Sequence, residues 1–144
     1  MSEFGAAMPV VLRGIAVSGL GKATAFTQLD WVQRQFEARL GFRAWPGTFN
    51  VRIVDQQEQA RWDALSTRPG IPIDPPDARG CLATCFPALV ADSLPGAIIL
   101  PHVAGYPQDQ VELVTAESVR ARLGCVDGDP VLVRVPPLVG WRAG

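Results

Sequence analysis

Proline and glycine punctuate this chain so densely that few stretches can run as a long helix. Thirteen prolines and fourteen glycines are spread over 144 residues. Each proline removes a backbone donor, and each glycine loosens the chain around it. Many short strands are the expected result. Runs of strand character lie at 10–17, 48–54, 81–90, 96–100, 110–114 and 130–135. One helix stands out, because Leu29, Val32, Phe36 and Leu40 form a stripe at spacings of three and four. Thr27 with Asp30 resembles a capping box for it, and Gly41 supplies its stop. A shorter helix is expected over 116–123, capped by Thr115 and ended by Gly124, with a turn or two over 58–65. Segment 66–80 reads as a long polar loop. The pattern predicts a mainly β fold: a compact barrel with one long and one short helix. It fits a single domain over 10–144, preceded by a flexible leader at 1–9.

Two segments carry chemistry. Trp45-Pro46-Gly47-Thr48-Phe49-Asn50 places a tight Pro-Gly turn directly before a strand. Residues two apart on a strand share a face, so the Thr48 hydroxyl and the Asn50 amide point the same way. Two neutral oxygens side by side suit a hard cation such as Mg2+, which completes its shell with phosphate and water. The alternative is a Thr-Asn pair dressing a strand surface. Upstream, Gly19-Leu20-Gly21-Lys22-Ala23-Thr24 follows the first strand. Its glycines let backbone N–H groups approach an anion, and Lys22, the only lysine beside twelve arginines, is a compact charge suited to phosphate. The spacing matches neither the dinucleotide fingerprint nor a Walker loop.

Charge and hydropathy exclude other classes. The net charge is −1 and no basic run exists, so nucleic acid is not an expected partner. No apolar stretch is long enough to span a membrane, and residues 1–9 lack the pattern of a secretory signal. The cytoplasm is the expected compartment. The cysteines, Cys81, Cys85 and Cys125, with the single His102, poorly fit a zinc site. Cys81 and Cys85 read better as small buried hydrophobes.

Together these pieces resemble the archaeal-type CTP-dependent riboflavin kinases, from about Leu12 to Val135. Val17-Ser18-Gly19-Leu20-Gly21 resembles that family's first strand and glycine loop. Leu40-Gly41-Phe42 followed by Trp45 through Val51 is similar to its helix end and Pro-Gly-Thr-Leu-Asn signature. Gly96 through Pro101, Glu112-Leu113-Val114 and Arg120 through Asp129 resemble its late strands, final helix and turn. The resemblance implies a six-stranded cradle-loop barrel that transfers phosphate from CTP to riboflavin with Mg2+. It implies nucleotide contacts from Gly19, Leu20, Gly21, Lys22, Ala23, Thr24, Glu117, Ser118, Val119 and Arg120. It implies metal ligands at Thr48 and Asn50, and a flavin-side carboxylate at Glu112, which is also the candidate base. Two positions depart from the family: Lys22-Ala23-Thr24 stands where a third glycine is usual, and Ala104 replaces a threonine beside the flavin. Two other functions compete with this one: a kinase with another small-molecule acceptor, and a nonenzymatic nucleotide- or flavin-binding module.

Overall fold

The computed structural model describes residues 9–18, 27–75 and 82–137. The glycine loop at 19–24, Cys81 and all of the expected leader except Pro9 lie outside the described residues. Among the described residues there are seven strands: β1 (Val10–Val17), β2 (Phe49–Arg52), β3 (Ile71–Ile73), β4 (Ala83–Val90), β5 (Leu94–Pro101), β6 (Gln110–Thr115) and β7 (Pro130–Val135). The same residues hold three helices: α1 (Asp30–Leu40), α2 (Gln56–Ser66) and α3 (Val119–Leu123).

The sheet order is β3-β4-β5-β6-β2-β1-β7, and β7 pairs back onto β4. Six strands therefore close into an antiparallel barrel, as expected, which removes the open edges a flat sheet would expose. The seventh strand, β3, sits outside the ring. It pairs with the first half of β4 through Ile73↔Ala83, while β7 takes the far end through Val90↔Val133. It falls inside the segment that the sequence suggested was loop. Pro72 at its centre has no N–H to donate, which an edge strand tolerates.

Strand alternation separates two cores. Leu12, Ala16, Val51, Phe86, Ile98, Leu113 and Val133 fill the barrel, joined by Trp62 and Leu65 of α2. Intervening residues such as Ala97, Ile99 and Val114 face outward, where α1 covers them with Val32, Phe36 and Leu40. The α1 stripe is thus borne out, except that Leu29 at its start is largely exposed.

Helix ends corrected three expectations. The Thr27–Asp30 capping box does not form: the N-cap is Leu29, without a side-chain bond, and Asp30 pairs instead with Arg34. Buried Gln33 ties the flanks of α1, donating to the Thr27 carbonyl and accepting from Ala44 N–H at 2.8 Å. Helix α3 starts later than expected, because Thr115 stays in β6 opposite Gly96 and Ser118 becomes the cap. Helix α2 is a full second long helix, begun by Asp55, whose carboxylate accepts from Gln57 and Glu58 N–H. Gly41 and Gly124 end α1 and α3 in the left-handed conformation, as read from the sequence.

Gly14 shows how tightly β1 and β2 meet. A Cβ there would lie 2.4 Å from the Arg52 carbonyl oxygen and 2.7 Å from Val51 Cγ1. Gly14→Ala should lower stability by about 1–3 kcal/mol through forced strand separation. A denaturant midpoint equal to that of the wild type would show that the strands yield there at no cost.

Candidate functional site

Cross-strand register builds the site. Strand β2 lies between β1 and β6, and Asn50 pairs with Val17 on one side and Glu112 on the other. Directly paired residues present their side chains on the same face of a sheet. Asn50 and Glu112 therefore both point outward from the barrel. Thr48 and Gln110, each two residues earlier in its own chain segment, join them. The Pro46–Gly47 turn, with Gly47 at φ 92°, delivers Thr48 into this row.

The four polar side chains bond in two pairs, joined through the Thr48 backbone. Thr48 Oγ1 donates to Glu112 Oε1 at 2.8 Å, and Gln110 Nε2 donates to Asn50 Oδ1 at 2.7 Å. Asn50 Nδ2 donates weakly to the Thr48 carbonyl at 3.3 Å, which settles which way its amide points. From outside the row, the Tyr106 hydroxyl donates to Glu112 Oε2 at 2.7 Å. Glu112 is fully buried. Burial, reinforced by the bond to Glu112, pushes the Tyr106 phenol well above its usual range, so it remains a donor at any physiological pH.

A cleft opens beside this network. It runs between the 45–49 segment and the start of α3, and Trp45, Thr48, Glu117, Ser118 and Arg120 line it. Arg120 holds three elements together. Its guanidinium donates to the Val17 carbonyl at 3.1 Å and to Asp127 at 2.6 Å, and lies 5.7 Å from the centre of the Phe49 ring. Ser18 donates to the other oxygen of Asp127 at 2.6 Å. The end of β1, where the chain leaves for residues 19–24, is therefore tied to α3 and to the 125–129 turn.

The structure brings Thr48, Asn50 and Glu112 into one network, with Glu117, Ser118 and Arg120 along the adjoining cleft. Val119 also lines that cleft, with its largely buried side chain packed into the barrel core. Ala104 sits in an exposed turn two residues before Tyr106. Residues 19–24 fall outside the described segments, and only their stem at Val17 and Ser18 is placed. Sequence reasoning does not single out Tyr106, Gln110, Ser18 or Asp127 as site residues. One usable signal existed for Gln110: Gln110-x-Glu112 repeats the two-residue polar spacing of Thr48-x-Asn50.

A family model for CTP-dependent riboflavin kinases, described as the domain of unknown function DUF120, matches residues 16–135. The chain belongs to that family. It is 33% identical over 134 residues to a riboflavin kinase from Methanopyrus kandleri, covering 93% of this chain and 88% of that protein. It is 34% identical over 123 residues to one from Methanocella arvoryzae, covering 85% of this chain and 56% of the relative. The riboflavin kinase of Halobacterium salinarum is 32% identical over 133 residues, covering 88% of this chain and 57% of the relative. The chain thus spans a little over half the length of the last two.

The donor set suits the cation that the resemblance implies. Among the described residues there is no group of three or more His, Cys, Asp or Glu that could hold a metal, and the candidate ligands Thr48 and Asn50 offer neutral oxygens. Because the Thr48 hydrogen goes to Glu112, the hydroxyl would present lone pairs rather than its hydrogen to a cation. Asn50 Oδ1 accepts once from Gln110 and has a second acceptor direction. Few protein oxygens of this hard type match Mg2+.

Asp127 gives a pH test of the Arg120 clip. Its bond from Ser18 first, and that from Arg120 second, hold its carboxyl below the ordinary value. A depressed carboxyl pKa contributes stability above the unfolded value, and loses it as pH falls through the folded value. Ser18→Ala and Arg120→Met should each raise the Asp127 pKa toward normal, measured by carboxyl NMR titration. An unchanged titration in both variants would mean that the clip does not hold in solution.

Proposed function

We propose that this protein is a CTP-dependent riboflavin kinase. It transfers the γ-phosphate of CTP to the 5′-hydroxyl of riboflavin, giving FMN, CDP and a proton. The observation that carries this reading is the alignment of Asn50 with both Val17 and Glu112, beside the cleft lined by Arg120. Family membership and relatives named riboflavin kinase support the same reaction.

Phosphoryl transfer asks a protein mainly for alignment and charge neutralisation. Thr48 and Asn50 are the residues to hold Mg2+, which when bound neutralises charge on the phosphate oxygens. Arg120 and the first residues of α3 line the nucleotide side. The loop amides of 19–24 with Lys22 are assigned to the phosphates. Glu112 accepts a hydrogen bond from the attacking hydroxyl and is the carboxylate available to take its proton. Both substrates are cytoplasmic metabolites, and the protein is assigned to that compartment. Ala104, exposed and without a hydroxyl, favours a second reading in which a related acceptor is phosphorylated instead.

The deciding experiment supplies riboflavin, Mg2+ and each of the four nucleoside triphosphates in turn. FMN should form with CTP. CTP turnover without FMN in the presence of other hydroxyl acceptors would favour the second reading, and tight nucleotide binding without any turnover would favour a binding module. In the active protein, Thr48→Val should raise the Mg2+ needed for half-maximal turnover at least about tenfold, the range already typical of residues that merely support metal ligands. Thr48→Ser should stay close to the wild type. Equal Mg2+ requirements in all three proteins would remove Thr48 from the cation site.

A further inference from the structure

We propose that Tyr106 is a positioning residue of the phosphoryl-transfer site, acting through Glu112 on the acceptor. The inference rests on the riboflavin kinase reading and deepens it. Two hydroxyls grip the carboxylate from separate chain segments, Thr48 on Oε1 and Tyr106 on Oε2. Each carboxylate oxygen has two acceptor directions. The clamp thus fixes the plane of the group, and with it the directions in which another hydroxyl can donate. Full burial of Glu112 keeps bulk water from taking over this role. A carboxylate held in this way is better suited to aim an incoming hydroxyl than to swing after it.

The tyrosine is itself rigidly mounted. Gly105, at φ 77°, makes the turn that brings Tyr106 back toward β6. Behind Tyr106, the same loop is pinned at two points. Gln59 of α2 donates to the Gln108 carbonyl at 2.8 Å, and Ile53 N–H donates to the Asp109 carbonyl at 2.8 Å. The Tyr106 ring forms one wall of a cleft shared with Trp62, Leu100 and Pro107. Helix α2 lies away from the Asn50 row, yet through this loop it supports the carboxylate that row depends on. A loss of the hydroxyl alone would leave every packing contact of the ring in place.

Tyr106→Phe makes that deletion. FMN formation with CTP and Mg2+ should show a riboflavin KM about tenfold higher, or a kcat about tenfold lower, with the CTP KM within twofold of the wild type. That size matches one hydrogen bond to a charged group. Riboflavin affinity, read without turnover from quenching of its own fluorescence, should weaken by a similar factor. Thermal melting should fall by at most about 8 °C, the cost of one buried hydrogen bond. A variant matching the wild type in both assays overturns the inference. So does an equal rise in both KM values, which marks a loosened fold rather than a misaimed carboxylate. If the wild type forms no FMN, the kinase reading fails, and the flavin titration decides on its own: an unweakened variant, or a wild type that binds no flavin, overturns the role of Tyr106.

Discussion

The register of β2 between β1 and β6 is the constraint from which the candidate site follows. Val17, Asn50, Glu112 and Ile99 lie in one row across four neighbouring strands. Side chains alternate along a strand, so a slip of one residue would turn Asn50 and Glu112 into the apolar barrel and bring Phe49 or Leu113 outside. Closure of the ring between β4 and β7 works against such a slip, because every strand of the ring is held on both sides. The apolar interior enforces the same register, since it buries Phe49, Val51, Val111 and Leu113 and no polar residue of the row. Site geometry and barrel packing are therefore one requirement met by one alternation.

Burial of Glu112 runs against stability unless its oxygens are bonded. Neutral hydroxyls from Thr48 and Tyr106 both contribute to meeting that demand. A charged pair lies at the cleft edge, where Arg120 joins Asp127 and the Val17 carbonyl.

Much of the barrel was legible because period-two alternation and Pro/Gly breaks are local signals. Six strand segments and the α1 stripe could be read directly. Strand β3 could not, since three residues centred on a proline carry no strand pattern of their own and pair only because β4 offers an edge. Helix α2 was underestimated because its buried face rests on few apolar residues, chiefly Trp62 and Leu65, and includes Glu58, whose carboxylate bonds Arg13 N–H and Arg61. Its start was signalled by Asp55 three residues before Glu58, a cue the reading did not use. Thr48, Asn50 and Glu112 were found through motif and resemblance. Their mutual bonding was not, because Gln110 and Glu112 alternate with valine and leucine as a solvated strand face would. The cover over that face comes from a turn and a loop far apart in the sequence. Tyr106 was missed for the same reason: it precedes Glu112 by only six residues, but a turn and the start of β6 decide whether the two meet.

That cover also explains why segments with little regular structure matter here. The barrel alone would leave the Asn50–Glu112 row as an exposed polar stripe with free rotamers. Holding such side chains to a fraction of an ångström requires support from outside the sheet. The 45–48 segment supplies it from one side, anchored by Gln33 at Ala44 and by the bond from Trp45 N–H to the Thr115 carbonyl at 2.7 Å. The loop preceding β6 supplies it from the other, pinned by Gln59 and by Ile53. Helices α1 and α2 thus act at a distance. Each fixes one short segment, and each segment donates one hydroxyl to the same carboxylate. The strands determine which residues face each other, and the two helices determine how firmly they are held.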